Sequence, residues 1–292
     1  MEVIVQIIAT GLTLGAMYAL AAIGLSLVWG TLGMLNMAHG AMMTIGAYLC
    51  FYAIGMLGLP IFLGLPVALI GGALLGIVIY ELCARFLIRR PQFENTIMIA
   101  TFGIGIALEN VILKLFGAYP TPQPLAVTGD FVIAGVHIPY QNLLIFCLAL
   151  VLMTLVAGLL DHTRMGRAIR ATAQNRDAAQ LMGVPVSRVY RQVLGIAGAL
   201  AAAAGVLISS QATLSPSMGG DPMLKAFIIC VVAGLGNVRG AAAAALVLGV
   251  VEAAAQYLFG VRFGFATLLV IVIAALIWRP YGVFGRRQIV RL

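Results

Sequence analysis

Residues able to do chemistry are sparse in this chain, and their spacing argues for mechanics rather than bond-making. His39, His137 and His162 fall in three separate regions, and neither H-E-x-x-H nor G-x-S-x-G occurs. No Walker motif is present, so ATP hydrolysis is not expected on this chain. Cys50, Cys83, Cys147 and Cys230 are scattered singly in apolar segments with no C-x-x-C. That indicates neither metal nor redox pair and leaves them as small apolar packing residues. The one dense polar segment is 161–191. It carries Arg164, Arg167, Arg170, Arg176, Arg188 and Arg191, with Asp177-Ala178-Ala179 followed by Gly183 at its centre. Gly166–Ala171 predicts a helix with Arg167 and Arg170 on one face, three residues apart. Asn175 is placed to cap a second short helix through Asp177 and Ala178, ending near Gly183 before Pro185. The product is a compact, stiff knob able to transmit force; the plainer alternative is a solvated basic loop.

The elements that must hold this knob are membrane spans. The 292 residues are 63% hydrophobic and only 9% charged, and the mean hydropathy is +1.10. A bilayer crossing takes about 20 apolar residues. Apolar runs at 5–29, 41–57, 61–83, 96–116, 142–160, 192–212, 223–236, 240–259 and 264–278 predict an all-α polytopic bundle of eight or nine transmembrane or re-entrant helices. The chain then forms a single membrane domain over 1–292. The 223–236 run is short and suits a half-helix or re-entrant segment. The net charge of +8 is not a nucleic-acid signature, because the basic residues sit in short loops beside the spans. Arg85, Arg89 and Arg90, the loop 161–191, and Arg279, Arg286, Arg287 and Arg291 are therefore expected in the cytoplasm. The stretch 118–141 has no Lys or Arg and several prolines, and 215–222 is rich in turn residues; both are expected outside. Alternation puts the N-terminus outside and the C-terminus inside. Met1-Glu2-Val3 has no basic n-region, so a cleaved signal peptide is not expected.

Polar residues within the spans are few. Asn36, His39 and Gly40 lie at the junction of the first two spans and suggest a broken helix, which would either line or gate a path or form a hydrogen-bonded turn without solute contact. Asn237 with Arg239 carries the same two alternatives. The segment 30–40 is echoed by 234–240, each leading into a helix that starts at glycine. Gly71-Gly72-x-x-x-Gly76, Gly103-x-Gly105 and the runs 200–205 and 241–245 allow close helix approach. Glu109 and Glu252 lie in or near spans, with Lys114 and Lys225 near outer ends. Such carboxylates are costly unless paired or facing water. Glu252 is expected to pair with a partner subunit or sit at the outer mouth, and a proton relay through Glu109, Glu252 or His39 would make the chain an ion-coupled transporter or channel.

The chain resembles the permeases of the branched-chain amino acid ABC importer family, specifically the H-type subunit. The likeness runs from Gly11–Gly24 through Asn36-Met37-Ala38-His39-Gly40, Met165–Ala171, Asp177–Gly183 and Gly234–Gly240 to Arg279–Gly285. Met37 stands where the family commonly has Phe, and Val238-Arg239 where Ile-Pro is common. The resemblance implies that Arg167, Arg170, Asp177, Ala178, Ala179 and Gly183 form the coupling helix on which an ATPase pushes. It also implies a second permease of the M type, two ATP-binding subunits that hold ATP and magnesium, and a periplasmic solute-binding protein, all at a bacterial inner membrane. The expected solute is a branched-chain or other hydrophobic amino acid, with urea or small amides as the alternative within the family.

Overall fold

The structure, a computed structural model, describes residues 2–88, 93–125, 127–133 and 135–285. Arg89, Arg90, Arg286, Arg287 and Arg291 lie outside the described residues. The bundle begins with α1 (Glu2–Leu32), α2 (His39–Phe51) and α3 (Ile61–Ile79), the last running through a π turn (Tyr80–Ala84) into α4 (Arg85–Leu87). Next come α5 (Phe93–Phe116), two short strands β2 (Asp130–Ile133) and β3 (Val136–Pro139), and α6 (Tyr140–His162). Two polar helices, α7 (Arg164–Gln174) and α8 (Arg176–Leu181), lead to α9 (Val186–Ser209), α10 (Gly220–Ala233), α11 (Val238–Phe259) and α12 (Phe263–Trp278). Strand β1 (Thr121–Pro122) pairs with β4 (Thr213–Leu214), and β2 forms an antiparallel hairpin with β3.

Among the described residues six helices are long and apolar enough to cross a membrane: α1, α3 extended to Leu87, α5, α6, α9 and α11. Their roles differ by burial. The most apolar window of α9 is 78% buried, against 22% for α3, α5 and α6, so α9 is the axis and the others form its wall. Small residues make the axis possible. A Cβ on Gly76 would stand 2.0 Å from the Leu194 carbonyl oxygen, and one on Gly15 would stand 2.7 Å from that of Ala245. Backbones thus touch where no side chain intervenes, the packing that serves when lipid offers no hydrophobic drive between helices. Gly103 departs from the expected pattern: nothing lies within 4 Å of a Cβ there. Cys147 departs too, being exposed while Cys50, Cys83 and Cys230 are buried. Outer residues such as Phe62, Leu82 and Leu115 are exposed and apolar, as a lipid-facing wall requires.

Helices α2 and α10 have 13 and 14 residues. A π turn (Tyr52–Met56) continues α2 to Met56, whereas α10, at 1.5 Å per residue, is roughly 20 Å long and short of the ~30 Å hydrocarbon core. Their first turns meet. A Cβ on Gly40 would stand 2.7 Å from the Gly219 carbonyl oxygen, and Thr44 Oγ1 accepts from the Gly219 N–H at 3.1 Å. The segment 215–219 carries the chain from β4 to this meeting point. At one end of the bundle the Glu2 carboxylate lies against Gly135 of the hairpin. At the other end α7, α8 and the segment 279–285 gather.

Candidate functional site

The polar elbow is built by local chemistry. Thr163 Oγ1 accepts from the Gly166 N–H at 3.0 Å and starts α7. Gly166 is pressed onto the end of α6, where a Cβ would stand 2.0 Å from the Leu160 carbonyl oxygen. Ile169 and Thr172 point inward and are buried, while Arg164, Arg167 and Arg170 face out. Arg170 donates to the Leu160 carbonyl and stands 3.8 Å from Asp161. Arg167 has no ion-pair partner among the described residues, so the two arginines divide: one clamps α7 to α6, the other is free to meet something else.

Asn175 Oδ1 accepts from the Ala178 N–H at 2.9 Å and caps α8. Asp177 and Ala178 are exposed, and Ala179 is buried against the bundle. Gly183 ends the turn at φ +84°, a conformation open to glycine and strained for other residues. Its N–H reaches the Gln180 carbonyl at 3.0 Å while Val184 reaches back to Ala179 at 3.0 Å. The tip carries two residues the sequence pattern did not single out: Leu181 and Met182 are 88% and 85% exposed. A hollow of about 510 Å³ opens beside them, lined by Tyr80, Arg85, Arg176, Gln180, Ser187 and Tyr190. Arg176 stacks over the Tyr190 ring at 5.8 Å, and Tyr80 shares a 2.8 Å hydrogen bond with Ser187.

Asp161 ties this elbow to the rest. It receives Arg239 at 2.5 Å as well as Arg170, so the middle of α7 and the start of α11 share one carboxylate at the end of α6. Asn237 caps α11 by accepting from the Gly240 N–H at 2.9 Å and donates to the Phe284 carbonyl at 3.0 Å. The two echoed segments touch: a Cβ on Gly236 would stand 2.9 Å from Gly30 Cα.

Asn36 and His39 are fully buried. Asn36 Oδ1 accepts from the Ala38 N–H at 3.1 Å and its Nδ2 lies 3.5 Å from Met42 Sδ. The His39 ring lies against Gly24, and neither ring nitrogen has a hydrogen-bond partner. The Gly40 N–H points at Met223 Sδ at 3.3 Å. Asn36, His39 and Gly40 are thus buried in this conformation, while Gly33, Leu35 and Met37 beside them keep partial exposure.

Charges inside the bundle meet in one cluster. Lys225 Nζ on α10 donates to Glu252 Oε1 on α11 at 2.6 Å and to the Tyr18 hydroxyl on α1 at 2.9 Å. Gln256 Nε2 adds a bond to the same carboxylate oxygen at 3.1 Å. This corrects the expectation that Glu252 pairs with a partner subunit: its counter-ion is in the same chain. The available signal was one lone cation and one lone anion in neighbouring apolar spans. Glu109 makes no ion pair with Lys114 or any other described residue.

Five apolar helices around a buried sixth, a short α10 whose first turn meets that of α2, and one stiff polar elbow define a multi-pass membrane protein. Residues 7–279 match the model of the family described as branched-chain amino acid transport system, permease component. The chain belongs to that family. It is 31% identical to the high-affinity branched-chain amino acid transport system permease protein BraD of Pseudomonas aeruginosa, over 97% of this chain and 96% of that protein. It is 29% identical to the LivH permease of Salmonella typhimurium, covering 96% and 94%, and 30% identical to a probable LivH permease of Methanocaldococcus jannaschii, covering 91% and 88%.

Proposed function

We propose that this chain is one membrane subunit of an ATP-driven ABC importer that moves branched-chain or other hydrophobic amino acids inward by alternating access. The observation that carries the reading is the tip of the elbow, where Leu181 and Met182 stand almost fully exposed on a capped, glycine-terminated helix turn. Apolar side chains on a stiff knob amid arginines make a plug for a groove on another protein. The arginines favour the cytoplasm for this face, with the β2–β3 hairpin on the opposite side of a bacterial inner membrane. Two ATP-binding subunits, holding ATP and magnesium, seat on the elbows of this chain and of an M-type permease. A periplasmic solute-binding protein seats on the hairpin face and supplies most of the selectivity.

In this mechanism closure of the ATPases pushes on Asp177, Ala178 and the exposed tip, with Arg167 as a free cation toward the partner. Gly166 and Arg170 pass the push to α6, Ala179 and Val184 pass it to α9, and Asp161 passes it to α11 through Arg239. Both the family match and the names of the relatives support an amino-acid cargo.

The test replaces Leu181 and Met182 together with serine, and separately Asp177 with lysine, in the importer reconstituted with its partners. Expected is loss of ATP-dependent leucine uptake with normal membrane insertion and ATPase activity freed from stimulation by the solute-binding protein. Uptake at the unmodified rate in both variants overturns the coupling assignment.

A further inference from the structure

A second feature lies at the opposite end of the bundle. Between α1, the end of α9 and the head of α10 is a cavity of about 350 Å³, within the size range of small-ligand sites, ~300–1,000 Å³. Met17, Ile208 and Met218 give it an apolar wall, while Tyr18, Asp221 and Lys225 give it polar groups. Two charges of opposite sign stand one helical turn apart on α10, at positions 221 and 225. They do not neutralise each other. Lys225 is turned to Glu252, and Asp221, exposed at the rim, has no ion-pair partner among the described residues.

An ammonium group has three donors. Two of Lys225's are used, on Glu252 and Tyr18; its side chain keeps 17% exposure and is among those that line the cavity. The floor thus holds a fixed cation with a donor to spare, and the rim holds a free carboxylate. We infer that this cavity is a binding site within the permease itself for a zwitterionic α-amino acid. The ligand's carboxylate meets Lys225 at the floor, its ammonium meets Asp221 at the rim, and its aliphatic side chain lies on Met17, Ile208 and Met218. Glu252 and Tyr18 act as positioning residues that hold Lys225 in place. The site is a way-station below the point where solute is released onto the hairpin face, and it rests on the importer function proposed above.

The experiment uses the importer assembled with its partner subunits but without the solute-binding protein, so that only the membrane site reports. Binding of L-leucine at millimolar concentration is followed by saturation-transfer NMR, alongside 4-methylpentanoate, which lacks the ammonium, and isopentylamine, which lacks the carboxylate. Unmodified importer is expected to bind leucine about tenfold more tightly than either analogue, the scale of one charge-assisted hydrogen bond. Asp221→Asn should erase the preference over 4-methylpentanoate. Lys225→Gln combined with Glu252→Gln keeps a hydrogen-bonded pair of similar shape and should erase the preference over isopentylamine. If that double variant fails to fold, Asp221→Asn, at an exposed rim position, decides alone. Unchanged preference in Asp221→Asn overturns the site while leaving the importer function intact, provided the unmodified importer still accumulates leucine with ATP. Failure of the unmodified importer to accumulate leucine overturns both.

Discussion

The elbow and the α10 cavity break the same rule in opposite directions. The elbow is a polar segment that exposes two large apolar side chains, Leu181 and Met182. The cavity lies in an apolar bundle that buries an ion pair, Lys225 with Glu252. Elsewhere the wall is largely apolar and the helix contacts small, with Glu109 and Asn110 on α5 as polar departures. The difference teaches where the chain carries work rather than mere residence in lipid. Exposed apolar surface on a rigid knob asks for a protein partner. A buried cation that keeps a free donor asks for an anionic group.

The largest expected effect breaks the cavity side of this contrast. Lys225→Met leaves the fully buried Glu252 without its counter-ion, and removal of one partner of a buried pair costs about 3–5 kcal/mol. Lys225→Met with Glu252→Met removes both charges and should recover most of that loss. Thermal inactivation of the purified complex measures it. Equal destabilisation by the single and double variants would mean that the pair is not what holds α10 against α11.

A smaller effect sharpens the elbow side. At Gly183 a Cβ would meet nothing within 4 Å, so the constraint is the backbone at φ +84° and not space. Gly183→Ala alone should therefore strain the end of α8 by about 1–3 kcal/mol. Fraying this turn lowers the stiffness of the knob, so the coupling of ATP hydrolysis to uptake should fall while the fold of the membrane bundle keeps its thermal stability. A Gly183→Asn variant, better suited to positive φ, should lose less. Equal losses for alanine and asparagine would place the demand elsewhere than in the backbone angle.

These two regions were not equally legible from the residues. The cap at Asn175 and the stop at Gly183 depend on chemistry within a few positions, and both stand in the structure where the spacing predicts them. The half-length of α10 follows from counting an apolar run bounded by turn residues. The Lys225–Glu252 pair joins positions on different helices, set by how α10 packs on α11, and no local pattern encodes that. Exposure of Leu181 and Met182 was hidden for another reason: a six-residue helix is too short to show a hydrophobic period. In the wall, Gly103 and Cys147 illustrate a third limit. Lipid-facing and core-facing positions are both apolar or small, so composition alone cannot assign a side.

The smallest effect concerns the link between the two regions. Asp161 takes Arg239 at 2.5 Å and Arg170 at 3.8 Å, joining the elbow to α11, the helix that also carries Glu252. These side chains are partly or largely exposed, and exposed pairs contribute little to stability and are screened by salt. Asp161→Asn should therefore leave thermal inactivation unchanged. Its effect should show only in transmission: uptake per ATP hydrolysed falls modestly at low salt, and the gap from the unmodified importer closes as salt rises. Arg239→Gln removes one arm and should give part of the same loss. Should Asp161→Asn instead act like Gly183→Ala at every salt concentration, the carboxylate would be part of the elbow's own stiffness rather than a bridge to α11, and the push would reach the cavity through α9.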